Sequence, residues 1–516
     1  MAASDDVVET TAGRVRGSRE HGVSVFRGIP YGDDTGGANR FRPPQPARTW
    51  PGVRECTRYG ATAVQLRPPV DPQRPPDPLS ELGLPMGEDC LVLNVWTPST
   101  TGRRPVMVWL HGGGFSIGSG SSPLYAGANL ARRGDVVVVT LNHRLGLLGF
   151  SHLEDHFGGS YAGSSNAGIL DLIAALEWIK SNIERFGGDS GCVTIFGESG
   201  GGGKVSALLA APKARGLFQR AIIQSGPPFQ FPHRSTARAT TDQVLAQLGL
   251  KGSDGPAGLH ELPFDRLLKA QIALGAGGGP SPGGMSFAPT IDERVLFDWP
   301  EQALAGGASA DVPLLIGTNL NEARFMVMIN PHLRKSPPAL TASDLLERVS
   351  PGCDRGAADL IARYRELHPD LSNFDLLLEI ESEQFRIRSI RLAEHKAAGG
   401  TAPVFMYLFR WVTPRLAKYG AYHGLEIPFV FDTVATVPHV AADEEAGVLC
   451  DRMLASWVAF ARTGRPGCDA TPSWKPYGLE ERATMEIDRN WTLASDPLAR
   501  ERTAWHDVPT GPTSRP

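Results

Sequence analysis

The sequence predicts an α/β fold with a large, mostly parallel central sheet flanked by helices. Short apolar runs alternate with helical or loop segments, which is typical of a single α/β sheet. The runs span residues 106–110, 136–141, 193–196, 221–224, 314–316 and 404–408. Glycine- and proline-rich stretches at 66–86 and 252–285 are interpreted as surface loops or lid segments. Because they do not separate independent units, we expect one domain over residues 1–516.

Helical spacing is clearest between the second and third predicted strands. From about Asn166, apolar residues recur at intervals of three and four, which predicts an amphipathic helix with its stripe in the core. Those residues are Ile169, Ile173, Leu176, Ile179, Ile183 and Phe186. Further helices are predicted at 342–349 and 376–398, where they interrupt the strand pattern.

The composition describes a globular protein without a charged partner. Of 516 residues, 41% are hydrophobic and the net charge is −4, so nothing favours nucleic acid or an anionic membrane. The acidic N-terminus MAASDDVVETTAG lacks the apolar region of a secretory signal. Six scattered cysteines fit a reducing compartment, and no His/Cys cluster indicates a metal. We expect a cytoplasmic protein without metal or cofactor, either monomeric or dimeric.

The segment VTIFGESGGGGKV at 193–205 has the pattern of a nucleophile elbow. A serine between a strand and a helix points outward from the turn, and Gly197 and Gly201 let that turn close without Cβ clashes. The motif G-x-S-x-G also occurs at 114–118 and 279–283. Ser281 has proline on both sides, and Ser116 lies two residues beyond another glycine motif, HGGG at 111–114. Ser199 is therefore the candidate nucleophile.

The segment HGGGF at 111–115 follows a predicted strand and suits an oxyanion hole. Negative charge develops on one oxygen during acyl transfer, and successive glycines let backbone N–H groups approach it closely. The candidate donors are the amides of Gly113, Gly114 and Gly200. A flexible loop after a buried strand is the alternative interpretation.

A serine nucleophile needs a histidine base and a carboxylate that orients the base. His423 lies late in the chain after a predicted strand, and Glu322 lies between it and the serine, at the end of the apolar run 314–316. This gives the order Ser, acid, His of α/β-type hydrolases. The competing acids, which composition leaves open, are Asp292, Asp432 and Glu426.

The chain resembles the type-B carboxylesterases, the cholinesterase-like and para-nitrobenzyl esterase-like family of α/β-hydrolases, from about Gly13 to about Gly464. The resemblance rests on FRGIPYGDD with NRFRPPQP, GEDCLVLNVWTP, WLHGGGF, VVVTLNHRLGLLGF, the block 166–203, GLFQRAIIQSG, LLIGTNLNEARF and AYHGLEIPFVF. So many landmarks in order make a highly specific pattern.

The resemblance implies the α/β-hydrolase fold, with helical insertions at about 228–423 that wall a gorge above the active site. It implies Ser199 as nucleophile, Glu322 as acid and His423 as base, and the oxyanion amides on Gly113, Gly114 and Gly200. It also implies Glu198 near the mouth of the catalytic centre and Ser225 close behind it.

Two features depart from the family pattern. Alanine usually follows the nucleophile, whereas this chain has Gly200, whose backbone freedom is expected to loosen one oxyanion donor. Secretory members often bridge the cysteine of EDCL to one about 27 residues earlier. Cys90 occupies the first position here, Ala63 the second, and Cys56 is a displaced candidate.

These expectations describe a serine carboxylesterase acting on a small-molecule ester. The loop 65–88 holds no Phe, Trp or Tyr, which argues against cation–π recognition of choline esters. A specialist hydrolase of carbamates, amides or phthalate-type diesters, and a non-catalytic cholinesterase-like binding protein, are the alternatives. Lys204 gives a superficial match to a phosphate-binding loop, but Glu198 stands where that motif requires glycine. With a neutral histidine as base, activity should fall at acid pH around an apparent pKa of roughly 6 to 7.

Overall fold

The computed structural model describes residues 6–67, 83–226, 230–250, 255–276, 287–335, 338–353 and 356–509. Its strands are β1 Val7–Thr10, β2 Gly13–Arg16, β3 Ser18–Glu20, β4 Val23–Pro30, β5 Val53–Glu55, β6 Val92–Thr97, β7 Arg104–Leu110, β8 Val137–Leu141, β9 Gly188–Glu198, β10 Arg220–Gln224, β11 Leu314–Asn319, β12 Val404–Phe409, β13 Ala483–Ile487 and β14 Thr492–Ser495.

A mixed sheet of 11 strands forms the centre, in the order β14-β13-β12-β11-β10-β9-β7-β8-β6-β4-β3. The seven neighbouring strands β13, β12, β11, β10, β9, β7 and β8 are parallel to one another. The pairs at either side of them, β14 with β13 and the pairs among β8, β6, β4 and β3, are antiparallel. Strands β1, β2 and β5 form a separate small sheet. Each of the six predicted runs lies in a parallel strand of the central sheet, so the predicted fold class is confirmed.

The α-helices are α1 Ala128–Gly134, α2 Gly146–Phe150, α3 Glu154–Phe157, α4 Ala167–Asn182, α5 Gly200–Ala210, α6 Arg234–Leu248, α7 Gly255–His260, α8 Phe264–Ala276, α9 Pro300–Ala305, α10 Arg324–Ile329, α11 Pro331–Lys335, α12 Ala342–Cys353, α13 Ala357–Leu367, α14 Asn373–Gly399, α15 Ile427–Phe431, α16 Pro438–Ala441, α17 Ala446–Thr463 and α18 Ala499–Ala504. None of the helices in the described ranges is long and apolar enough to cross a membrane.

Helices cover both faces of the central sheet because its strands are apolar on both faces. In β7, Val106, Val108 and Leu110 face a core shared with α4, α5 and α14, whereas Met107 and Trp109 face a second core shared with α15 and α17. The alternation is the two-residue period of a strand. The predicted helix from Asn166 is α4, which continues into a 3-10 turn at Ile183–Phe186.

The stretch 252–285 is not only a loop, as its glycines and prolines suggested. It contains α7 and α8, because the residues of α8 between the glycine-rich ends are helix formers with apolar spacing. Residues 251–254 and 277–286, which include the Ser281 motif, lie outside the described residues, as do 68–82 of the proline-rich loop.

The sheet brings three chain segments to one edge. Strands β9, β11 and β12 run parallel, so the residues that follow them emerge on the same side. Ser199 follows β9, Glu322 follows β11, and His423 lies beyond β12. The loop after β7 emerges beside Ser199 because β7 pairs with β9.

Candidate active site

Ser199 occupies a strained turn between β9 and α5. Its backbone angles are φ 56° and ψ −123°, a region that residues with a Cβ rarely adopt. The turn leaves no room for side chains beside it: a Cβ on Gly201 would lie 1.9 Å from the Leu110 carbonyl oxygen, and one on Gly197 would lie 2.6 Å from the same atom. The Ser199 N–H donates to the Gln224 carbonyl at 2.9 Å. This geometry is the strand-to-helix junction expected of a nucleophile elbow.

Residues 111–118, which we call the glycine loop, fold tightly next to this turn. Gly113 and Gly114 have positive φ values of 87° and 63°, and the Gly113 carbonyl accepts hydrogen bonds from the N–H groups of Ser116 and Ile117. The Gln65 side chain holds the far end, with Oε1 accepting from the Gly118 N–H at 2.7 Å. Ser116 therefore lies inside a turn of this loop and not between a strand and a helix.

The glycine loop touches the first residue of α5. A Cβ on Gly200 would lie 2.2 to 2.5 Å from the backbone O, N and Cα atoms of Gly114. The missing side chain thus permits a close approach that alanine would block. Gly200 thus lies in close contact with Gly114, and the looser oxyanion donor expected from its backbone freedom stays a prediction.

Glu322 and His423 form a short hydrogen bond. The His423 Nδ1 lies 2.6 Å from Glu322 Oε2, and the backbone N–H of Asn319 donates to Glu322 Oε1 at 2.7 Å. Glu322 is fully enclosed, with 1% of its surface exposed. The rings of Phe325 and Phe385 lie 5.9 and 5.3 Å from the imidazole. With Nδ1 donating to the carboxylate, a neutral His423 keeps its lone pair on Nε2.

The Nε2 atom of His423 faces Glu198, whose Oε1 lies 3.1 Å away. Within the described part of the chain, no hydrogen bond joins His423 to the Ser199 hydroxyl. Catalytic hydrogen bonds are often long without substrate and tighten only when substrate binds. The structure therefore brings His423 together with Glu322 and Glu198, at the same edge of the sheet as Ser199.

Two of the three carboxylates around His423, those of Glu198 and Glu426, have pKa values above their ordinary value. Burial raises the pKa of Glu198, and the neighbouring Glu426 and Glu322 add to that effect. Burial alone would lower the pKa of His423, but the charges of Glu198, Glu322 and Glu426 outweigh it and hold the pKa above its ordinary value.

The competing acids have other partners. Glu426 is buried and accepts hydrogen bonds from the amides of Gln224 and Asn319. Asp292 accepts the backbone N–H groups of its own turn, and Asp432 pairs with Arg133 at 2.9 Å. Neither aspartate is a partner of His423, whereas Glu322 bonds it directly.

Ser225 lies behind this site, in a strained conformation with φ 45°. It is fully buried, and its N–H donates to the Gly317 carbonyl at 2.8 Å. Its hydroxyl has no hydrogen-bond partner among the described residues.

Lys204 is a buried neighbour of the glycine loop that the sequence indicated only as part of a phosphate-loop pattern. Lys204 is 0% exposed, and its Nζ donates to the His111 carbonyl at 2.7 Å. Burial lowers its pKa, and the Glu198 carboxylate opposes that shift. The available signal was a lone lysine in a helix whose other residues are small or apolar.

The six cysteines form no disulfide with one another. Cys56 and Cys90 are both free and buried, as are Cys353 and Cys450, and Cys192 and Cys468 are free as well. No cluster of His, Cys, Asp or Glu that could hold a metal ion occurs among the described residues.

The sheet topology, the elbow and the Glu322–His423 pair define an α/β-hydrolase. The model of the carboxylesterase family matches residues 4–505, so the chain belongs to that family. It is 38% identical to para-nitrobenzyl esterase of Bacillus subtilis over 96% of this chain and 97% of that protein. It is 33% identical to phenmedipham hydrolase of Pseudarthrobacter oxydans over 96% and 97%.

Solved structures agree with this assignment. The carboxylesterase of Geobacillus stearothermophilus matches with a TM-score of 0.85 and 38% identity, covering 97% of this chain and 100% of that one. The family resemblance seen in the sequence is confirmed. The chain is a carboxylic ester hydrolase, which sets aside the non-catalytic alternative.

Proposed function

We propose that the chain is a serine carboxylesterase with Ser199 as nucleophile, His423 as base and Glu322 as the acid that orients His423. The observation that carries this proposal is the strained turn at Ser199, on the same sheet edge as the Glu322–His423 hydrogen bond. A non-glycine residue persists in such a conformation only where the surrounding structure enforces it, and such residues cluster at active sites.

In the first step, His423 Nε2 takes the proton of the Ser199 hydroxyl while Oγ attacks the ester carbonyl. Glu322 holds Nδ1–H, which fixes the tautomer and stabilises the imidazolium. The amides of Gly113, Gly114 and Gly200 receive the developing oxyanion. The alcohol then leaves with the proton from His423, and Ser199 retains the acyl group.

Water repeats the sequence on the acyl-enzyme. His423 accepts a proton from the attacking water, the tetrahedral intermediate uses the same amides, and Ser199 recovers its proton as the acid departs. Both steps require the His423 Nε2 atom, which lies 3.1 Å from Glu198 Oε1, to face the Ser199 Oγ atom instead.

We further propose that residues 1–516 form one domain, in which insertions at about 228–423 wall a gorge over Ser199. The proximity of Phe325 and Phe385 to His423 supports this, since both belong to that region. Aromatic walls favour an apolar small-molecule ester.

The test is hydrolysis of p-nitrophenyl esters, from acetate to decanoate, by wild type, Ser199→Ala and Ser116→Ala. We expect Ser199→Ala to lose several orders of magnitude in kcat with folding intact, and Ser116→Ala to stay close to wild type. Equal losses in the two variants would contradict the choice of nucleophile. The preferred chain length would give the size of the acyl pocket.

A second candidate is a specialist hydrolase with the same residues, acting on carbamates, amides or phthalate-type diesters. The similarity to a phenmedipham hydrolase favours testing it. Turnover of phenmedipham with a kcat/KM above that of every p-nitrophenyl ester would support the specialist. A kcat/KM far below theirs would support the general esterase.

A further inference from the structure

Lys204 carries a buried amino group that the mechanism above does not use. It lies in α5, one turn after Ser199, and no part of its surface reaches solvent. Burying an ammonium group is costly unless it is compensated by hydrogen bonds or nearby negative charge. A lysine at this buried position, despite that cost, indicates a role for its amino group in the site.

The negative charge of Glu198 supplies part of the compensation, and the glycine loop supplies the hydrogen bond. Lys204 Nζ donates to the carbonyl oxygen of His111 at 2.7 Å, its one hydrogen-bond acceptor among the described residues. Nζ also lies 5.7 Å from the centre of the Phe115 ring, within range of a cation–π attraction. Both contacts are made to the segment that contains Gly113 and Gly114.

We propose that Lys204 is a positioning residue for the oxyanion hole, which fixes the glycine loop by holding the His111 carbonyl. A peptide group is planar, so the direction of that carbonyl also sets the direction of the Gly112 N–H. The glycines that follow have no Cβ to restrict them. An anchor at the start of the loop therefore limits the orientations open to the amides of Gly113 and Gly114. The proposal rests on the proposed function, since it assumes that these amides bind the oxyanion.

A second contact between α5 and the start of the glycine loop supports the Lys204 hydrogen bond. Gly201 packs against the same stretch of backbone, where a Cβ would lie 1.9 Å from the Leu110 oxygen and 3.1 Å from the His111 oxygen. Helix α5 thus approaches the glycine loop through the backbones of Gly200 and Gly201 and through the Lys204 side chain. These contacts join the elbow to the glycine loop, so we expect them to limit changes in the distance between Ser199 and the amides.

The test compares Lys204→Met with a matched control, Lys396→Met. Lys396 is also 0% exposed and also donates to one carbonyl, that of Ala310 at 3.1 Å, but it lies in α14 away from the site. The measurements are kcat and KM for p-nitrophenyl acetate, thermal stability, and inhibition by an alkyl trifluoromethyl ketone. Ser199 adds to the ketone carbon, its proton passes to His423, and the resulting hemiketal oxyanion occupies the hole.

We expect Lys204→Met to lower kcat by about 10- to 100-fold, short of the loss of a whole oxyanion donor. KM should stay within about twofold, and the inhibition constant should rise by the same factor as kcat falls. Lys396→Met should lose comparable thermal stability with kcat and inhibition unchanged. If Lys204→Met loses stability but keeps both kcat and the inhibition constant, the lysine is merely structural and the proposal is wrong.

A second variant covers the case in which Lys204→Met does not fold. Lys204→Gln keeps an N–H donor without the charge, and we expect a smaller loss in which kcat and inhibitor affinity again change together. A loss of kcat without a loss of affinity would overturn the proposal. Failure of the proposed function is distinct from either result, because it would appear as turnover that survives Ser199→Ala in the wild-type Lys204 background.

Discussion

At the residue scale, His423 lies between two carboxylates. Glu322 bonds its Nδ1 atom, and Glu198 lies 3.1 Å from its Nε2 atom. Both negative charges favour the imidazolium, so the pKa of His423 lies above the ordinary value of about 6.5. Because the flanking charges raise the pKa of His423, we expect activity to fall at a pH above the roughly 6 to 7 that an unperturbed histidine predicts. A protonated His423 cannot act as base, so activity requires a pH above its pKa.

Glu198→Gln should therefore move the acid limb of kcat/KM to lower pH, by about one unit or more. The substitution removes one of the charges that raise the pKa of His423 and keeps the shape of the side chain. A pH profile from about pH 5 to about pH 10 measures the shift. The control is Glu481→Gln, which changes an exposed carboxylate paired with Lys475. A limb that stays in place or moves upward would show that Glu198 does not influence the base.

Gly200→Ala should lower kcat at least about tenfold. The new Cβ would meet the Gly114 backbone at 2.2 to 2.5 Å and displace the glycine loop or the start of α5. The KM should change little, since the oxyanion forms only in the transition state. Gly447→Ala, which meets no atom within 4 Å, is the matched control. An unchanged kcat in Gly200→Ala would mean that the loop moves aside without harm.

At the element scale, sequence patterns predicted the parallel strands well because each is a buried apolar run. They did not predict the flanking antiparallel strands; the edge strand β14 has no buried residue. Nor could they choose between Glu322 and Glu426, which both lie near strand ends or turns and are both buried. The difference lies in the fold, which directs Glu322 to His423 and Glu426 to two amides. The contact of Lys204 with His111 crosses from α5 to the loop after β7, beyond the reach of local pattern.

The junction between α4 and the segment after β8 depends on one buried ion pair. Arg144 donates through Nε and Nη2 to Asp171 at 2.8 and 2.6 Å, and its backbone N–H donates to the same carboxylate. Asp171→Ala should lower the free energy of unfolding by about 3–5 kcal/mol, because it leaves an unpaired buried charge. Urea denaturation measures this. Asp189→Ala, at the exposed pair with Arg103, should cost less than about 1 kcal/mol. Similar losses from the two would refute the assignment.

At the scale of the whole molecule, packing and not cross-linking holds the chain together. Two extensive apolar cores lie on the two faces of the central sheet, and all six cysteines are free. Thiol titration of protein unfolded in urea without reductant should find six thiols per chain. Reductant should leave thermal stability unchanged, whereas the loss of a structural disulfide would cost about 2–4 kcal/mol. Two missing thiols would indicate a bridge.

The backbone conformation at Ser199 serves catalysis at a cost in stability. With φ 56°, the serine holds about 1–3 kcal/mol of backbone strain that glycine would not carry. The free energy of unfolding of Ser199→Gly, measured in urea, should therefore exceed that of Ser199→Ala, which keeps the Cβ. We expect a difference of about 1 kcal/mol, because the greater freedom of glycine in the unfolded chain offsets part of the relieved strain. Equal stabilities would show that the turn is not strained. If the turn is strained, a lineage that no longer needs catalysis would accumulate early substitutions at this serine that remove activity and increase stability.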